Sequence, residues 1–178
     1  EDAWGVAPDG SVVIARSGDY HVEWVARDGS VRRGPAVPYQ AVRVTAADKE
    51  EYLSEMGRSG GGIAVRLEIQ DGRPSLSLQR GGTPGGGRRQ VDRYTWPDRK
   101  PAFQGGRIPV DPQGRAWVRR HGKAGDPTAY DLFDQAGRRV GTVTLDAGKR
   151  VVGFGARAAY VVSFDDFDLA YLERYALP

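Results

Sequence analysis

Val6-Ala7-Pro8-Asp9-Gly10-Ser11-Val12-Val13-Ile14-Ala15-Arg16 and Val110-Asp111-Pro112-Gln113-Gly114-Arg115-Ala116-Trp117-Val118-Arg119-Arg120 are one pattern written twice. Each opens with a Pro-x-Gly turn, in which proline presets φ and glycine supplies a left-handed residue, and each passes into an apolar run of strand type. The continuations match as well. Tyr20-His21-Val22-Glu23-Trp24-Val25 leads to Asp28-Gly29-Ser30-Val31-Arg32-Arg33-Gly34, and Ala129-Tyr130-Asp131-Leu132-Phe133-Asp134 leads to Ala136-Gly137-Arg138-Arg139-Val140-Gly141. Turn, strand, strand, glycine turn, strand is the content of one blade of an antiparallel β-propeller. The chain therefore reads as a repeat protein of the all-β class.

Working outward, blade 1 occupies residues 1–38 and ends where Pro35 and Pro38 remove donors from the ladder. Blade 2 occupies 107–146, and blade 3 occupies 147–178 with less of the repeated text and no outer strand. Residues 39–106 break the period. A blade takes roughly 40 to 45 residues, so the 178-residue chain cannot hold a full ring together with this excursion. The expected architecture is about three blades in a partial or open ring, with an inserted short helix and β-hairpin.

Within the insertion, Thr45-Ala46-Ala47-Asp48 starts a helix over 45–57 as a capping box with Asp in place of Glu or Gln, and Gly57 stops it. Ile63-Ala64-Val65-Arg66-Leu67-Glu68-Ile69 alternates strictly and turns at Asp71-Gly72, giving a hairpin over 63–80. The glycine-rich stretch 81–90 is a loop. It lacks the Gly-Lys-Ser/Thr ending of a phosphate-binding loop, and no helix pattern follows it.

Composition limits the chemistry. With no cysteine there are no disulfides and no thiolate metal sites. The basic residues come as scattered pairs, such as Arg32-Arg33 and Arg119-Arg120, which suit solvated strand edges better than a nucleic-acid track. No run approaches the roughly 18 apolar residues of a membrane-spanning helix. The opening Glu1-Asp2-Ala3-Trp4, without methionine and straight into a blade, leads us to expect an upstream portion.

No catalytic constellation stands out. Asp165-Asp166-Phe167-Asp168 lacks both the spacing and the glycine of a calcium loop and reads as a solvated hairpin tip. His21 and His121 occupy different places in the repeat, and no serine sits in a nucleophile elbow. Trp4, Trp24, Trp117 and the tyrosines at 20, 130, 160, 171 and 175 read as blade core. Trp96 stands apart, in the proline-containing segment Trp96-Pro97-Asp98-Arg99-Lys100-Pro101-Ala102-Phe103. We expect Trp96, Pro97, Arg99, Lys100 and Phe103 to contact a partner. No catalytic, cofactor-binding or metal-binding residue is expected.

The run Trp4-x-x-Ala7-Pro8-Asp9-Gly10, the Gly34-Pro35-x-Val37-Pro38-Tyr39 exit, the Trp96-Pro97-x-x-Lys100-Pro101-x-Phe103 lead-in and the closing Arg174-Tyr175-x-Leu177-Pro178 resemble the C-terminal half of bacterial six-bladed β-propeller proteins of the NHL-like kind. The matched motifs are structural and carry no catalytic residue across. With its open edges, the resemblance implies a non-enzymatic scaffold or protein-binding module, an extrinsic subunit of a larger assembly, with a membrane complex as one host. The expected partners are other protein subunits and not nucleic acid, and the expected location is extracytoplasmic or membrane-peripheral. The alternative is a metal-dependent, lactonase-like hydrolase of the six-bladed class.

Overall fold

The computed structural model describes residues 1–59, 63–70, 73–80, 91, 93–165, 167 and 169–177. Among the described residues the fold is all-β with one α-helix, and none of the sheets closes on itself. Two compact units are present, one formed by residues 1–43 with 98–178 and the other by 44–97.

The larger unit carries three sheets. Sheet 1 holds β1 (Ala3–Val6), β2 (Val12–Arg16), β3 (His21–Val25) and β4 (Val31–Arg33) as an antiparallel meander, with β7 (Gly106–Arg107) added parallel to β1. Sheet 2 holds β8 (Ala116–Arg119), β9 (Thr128–Phe133) and β10 (Arg139–Leu145). Sheet 3 holds β11 (Arg150–Gly155), β12 (Ala158–Phe164) and β13 (Ala170–Ala176).

The turns explain why these strands form where they do. Ala7 N–H bonds to the Ser11 carbonyl while Gly10 N–H bonds back to Ala7, and the same two bonds recur at Ala26/Ser30, Asp111/Arg115 and Asp134/Arg138. The glycine of each turn is left-handed, at φ 84°, 83°, 78° and 71° for Gly10, Gly29, Gly114 and Gly137. This is the three-residue hairpin loop closed by a glycine bulge, and it fixes the register of the strands it joins. A carboxylate completes each turn in one of two ways. Asp9 and Asp28, at the third position, accept from the backbone and hydroxyl of Ser11 and Ser30. Asp111 and Asp134, at the first position, accept from the backbone and Nε of Arg115 and Arg138.

The sheets stack in order. Val13, Ala15, Val22 and Trp24 of sheet 1 share a core with Ala116, Val118 and Phe133 of sheet 2, together with Tyr20, Phe103 and Ile108. The opposite face of sheet 2 presents Trp117, Tyr130 and Leu132 to Val151 and Phe154 of sheet 3. Sheet 2 is thus covered on both faces, which is why β8 and β9 are buried almost continuously. Burying a side chain the size of Trp117, of order 200 Å², contributes roughly 5 kcal/mol of transfer free energy before the entropy of ordering it.

Three features differ from the sequence reading. The first blade has a fourth strand, β1, because Ala3 and Gly5 face inward and alternate with Trp4 and Val6. The helix α1 (Ala46–Ser59) continues past Gly57, since one glycine in a final turn costs only about 1 kcal/mol. Trp4, Tyr171 and Tyr175, read as core, are exposed, Trp4 on the uncovered face of sheet 1 and the two tyrosines on β13, the edge strand of sheet 3.

In the smaller unit, Asp48 Oδ2 accepts from both the Thr45 amide and the Thr45 hydroxyl, which in turn faces the Asp48 amide at 3.3 Å. That is the reciprocal capping box at the start of α1. Strands β5 (Ile63–Gln70) and β6 (Arg73–Arg80) pair as an antiparallel hairpin. The Asp71-Gly72 turn and the glycine-rich stretch 81–90 lie outside the described residues.

Candidate functional site

The recurring turns align sheets 1 and 2 residue for residue. Cross-strand pairs Val13↔Trp24 and Ile14↔Glu23 in sheet 1 correspond to Trp117↔Leu132 and Val118↔Asp131 in sheet 2. Val6↔Val12 corresponds to Val110↔Ala116. The superposed registers put Val12, Ile14, Glu23 and Val25 in the places of Ala116, Val118, Asp131 and Phe133. The same offset puts Trp4 in the place of Ile108.

In sheet 2 this face receives sheet 1. Ala116, Val118, Asp131 and Phe133 are all buried, and Ile108 is 3% exposed. In sheet 1 the equivalent face is open. Trp4 is 59% exposed, Val6 54% and Val31 60%, and Val31 pairs with Val25 to extend an apolar row Val6–Val12–Val25–Val31 across the sheet. It is a receiving face that no other described sheet of the larger unit covers.

Polar groups accompany the row. Arg16 bonds Glu23 at 2.8 Å and Asp2 at 3.0 Å, and His21 bridges Asp19 and Glu23. The Ser17 amide, helped by the Arg16 guanidinium, lowers the Asp2 carboxyl to about 2. His21, followed by Arg16, holds Glu23 below its ordinary value, and His21 does the same for Asp19. In sheet 2, the equivalents Arg120 and Asp131 lie 3.8 Å apart, and Asp131 accepts a 2.6 Å bond from the Tyr20 hydroxyl of sheet 1. Each receiving face therefore carries a carboxylate beside an arginine. In the closed junction, the preceding sheet adds a phenol.

Sheet 3 ends the stack on its other side. Val151, Phe154, Ala159 and Val161 share the face turned to sheet 2. The opposite face carries Tyr160, Val162 and Phe164 of β12 and Leu172 and Arg174 of β13, with Leu172 69% exposed. Arg150 lies over the Phe164 ring at 5.6 Å. Val152, at the β11 bulge, is exposed too.

The residues read for partner contact divide between the two units. Trp96 lies in the smaller unit, where its indole N–H bonds the Val91 carbonyl and its ring meets Tyr52 edge-on, with Lys49 5.7 Å above it. Pro97 is exposed beside it. Arg99 and Lys100 belong to the larger unit and are tied to Ala41 and Gly122. Phe103 is fully buried against Tyr20 and serves the core. The residues the sequence reading missed, Trp4, Val6, Val31 and Leu172, could have been found by carrying the turn-fixed register across each sheet.

Among the described residues, no group of three or more His, Cys, Asp or Glu side chains is placed to hold a metal ion. Asp165 accepts from the Phe167 and Leu169 amides and the Tyr171 hydroxyl, as a turn-former does. Among the described residues, no helix is long and apolar enough to cross a membrane. Compared with known proteins, the chain matches no family model, no curated protein and no solved structure.

Proposed function

We propose that this chain is a non-enzymatic scaffold or protein-binding module. Its sheets are read as blades of an open propeller of the six-bladed, NHL-like kind, working as an extrinsic subunit of a larger protein assembly, with a membrane complex as one host. The supporting observation is the contrast between Trp4, 59% exposed, and its equivalent Ile108, 3% exposed. A face that is core in one repeat stands uncovered in the next. Contiguous exposed apolar surface of this kind marks interaction sites.

The test is to place a photo-crosslinking side chain at Val31 and, separately, at Leu172, both well exposed, and to irradiate the chain in the cells that make it. A covalent adduct with a protein is expected from each position. The reading is lost if neither position gives an adduct and the isolated chain hydrolyses lactones in a metal-dependent manner.

A further inference from the structure

The stack has a direction, and that direction identifies an occupant for both open faces. In each closed junction one sheet presents its Val13-type face and the next receives it. Sheet 1 presents Val13, Val22 and Trp24 to sheet 2. Sheet 2 presents their equivalents Trp117, Tyr130 and Leu132 to sheet 3. The face left over on sheet 3 is a presenting face, and the one left over on sheet 1 is a receiving face. We propose that a second copy of this chain joins head to tail, sheet 3 of one copy seating on sheet 1 of the other. This rests on the protein-binding reading above and names the partner.

Two observations favour a second copy over an unrelated protein. The contact continues an interface that the chain already makes twice with its own sheets, so both halves are present on one molecule. A donor is also on hand for Glu23, which stands on the receiving face of sheet 1 with Arg16, Arg33 and Arg107 around it. At the equivalent point of the closed junction, Asp131 takes a donor from the preceding sheet. Tyr160 and Arg174, paired across β12 and β13, are the donors sheet 3 carries on that face. Such a contact is heterologous, with different patches on the two partners, and it closes into a ring or repeats.

The experiment measures mass in solution over a range of concentrations for the full chain, for Val31→Glu, for Leu172→Glu and for the two variants mixed. Both residues are exposed in the single chain, so neither change disturbs its own core. The unmodified chain is expected at twice its 19.4 kDa, or at higher multiples if the junction repeats without closing. Each variant alone should be monomeric. Mixing them should restore a dimer, because one junction then joins the unaltered presenting face of Val31→Glu to the unaltered receiving face of Leu172→Glu. A chain that stays monomeric at every concentration overturns the proposal, and so does a mixture that recovers no dimer. Adducts with a different protein from the crosslinking test would then keep the binding reading while removing this occupant.

Discussion

The hydroxyl of Tyr20, on sheet 1, donates to the fully buried carboxylate of Asp131, on sheet 2, at 2.6 Å. Tyr20 reaches it from a left-handed backbone, φ 46°, which a non-glycine residue adopts only when its surroundings hold it there. Phe103 and Phe133 pack its ring at 5.3 and 5.8 Å. Burial, with the bond to Asp131 adding to it, pushes the phenol above its ordinary value, so the hydroxyl stays protonated and donating. Tyr20→Phe keeps the ring and removes the donor. It should destabilise the larger unit by about 1–3 kcal/mol, the cost of an under-satisfied buried acceptor. Denaturant unfolding should show a lower midpoint at constant slope, and an unmoved midpoint would show that Thr142, 3.0 Å from Asp131, satisfies it together with Arg120 and Arg139 at 3.8 and 3.6 Å.

Gly34 and Gly137 set how closely sheets 1 and 2 approach at their ends. A Cβ on Gly34 would lie 2.0 Å from the Gly137 carbonyl oxygen, and one on Gly137 would lie 2.5 Å from the Val22 oxygen. Backbone on both sides leaves nothing flexible to yield. Gly34→Ala should therefore cost well over the roughly 0.5 kcal/mol of an ordinary surface change, by prying the junction apart. Gly18→Ala is the control, because no atom lies within 4 Å of its Cβ position and its φ is not left-handed. Comparable thermal shifts for the two variants would remove the steric account.

The turns were legible because their chemistry is local. Pro8-Asp9-Gly10 and Pro112-Gln113-Gly114 name their conformation in three residues, and register follows from conformation. Alternation likewise shows that Val12 and Ile14 share a face. What alternation cannot tell is whether another sheet lies on that face, because the covering residues come from elsewhere. Trp4 is the example. Its aromatic side chain reads as core, and in the equivalent place Ile108 is core, yet Trp4 is exposed because none of the described sheets lies on that face of sheet 1. Phe103 fails in the opposite sense. A proline-containing, non-repeating segment reads as surface, but Gln104 donates to the Arg119 carbonyl and His121 to that of Ala102, which draws Phe103 into the core.

Asp111 and Asp134 fill the same turn position with different consequences. Asp111 is fully buried and accepts from the amides of Gln113 and Arg115, from Arg115 Nε and from the indole N–H of Trp117. The half-buried carboxylate of Asp134 accepts only from Ala136 and Arg138, and the Trp24 indole bonds the backbone carbonyl of Asp134 instead. Asp111→Ala should cost roughly 3 kcal/mol or more, because it strands the buried indole donor of Trp117 and removes the carboxylate that pairs with the half-buried Arg115 guanidinium. Asp134→Ala should cost clearly less. Equal losses on chemical denaturation would mean that the turn itself, and not the indole, accounts for the role of Asp111.

At the edge of sheet 3, Glu173 accepts from Lys149 at 2.8 Å, from the Ser163 hydroxyl at 2.9 Å and from the Tyr175 hydroxyl. Lys149, followed by the two hydroxyls, lowers the Glu173 carboxyl from 4.5 to about 2, and Glu173 holds the ammonium of Lys149 above its ordinary value. A carboxyl whose folded-state value is depressed stabilises the fold above its unfolded value and loses that contribution as pH falls through the folded one. The contribution of Glu173 should thus be complete above pH 4.5 and gone near pH 2. The Lys149 contribution has the opposite sense, present at neutral pH and lost only in strong base. Melting temperatures of the unmodified chain and of Glu173→Gln, measured across the acid range, isolate the first effect. Above pH 4.5 the unmodified chain should melt higher, and the difference should shrink steadily toward pH 2. The side chains of Glu173 and Lys149 are only 32% and 19% exposed, so added salt should reduce the difference without abolishing it. A gap that is the same at every pH would mean that the hydroxyls hold Glu173 by shape alone and that the ion pair contributes nothing to the closing strand of the stack.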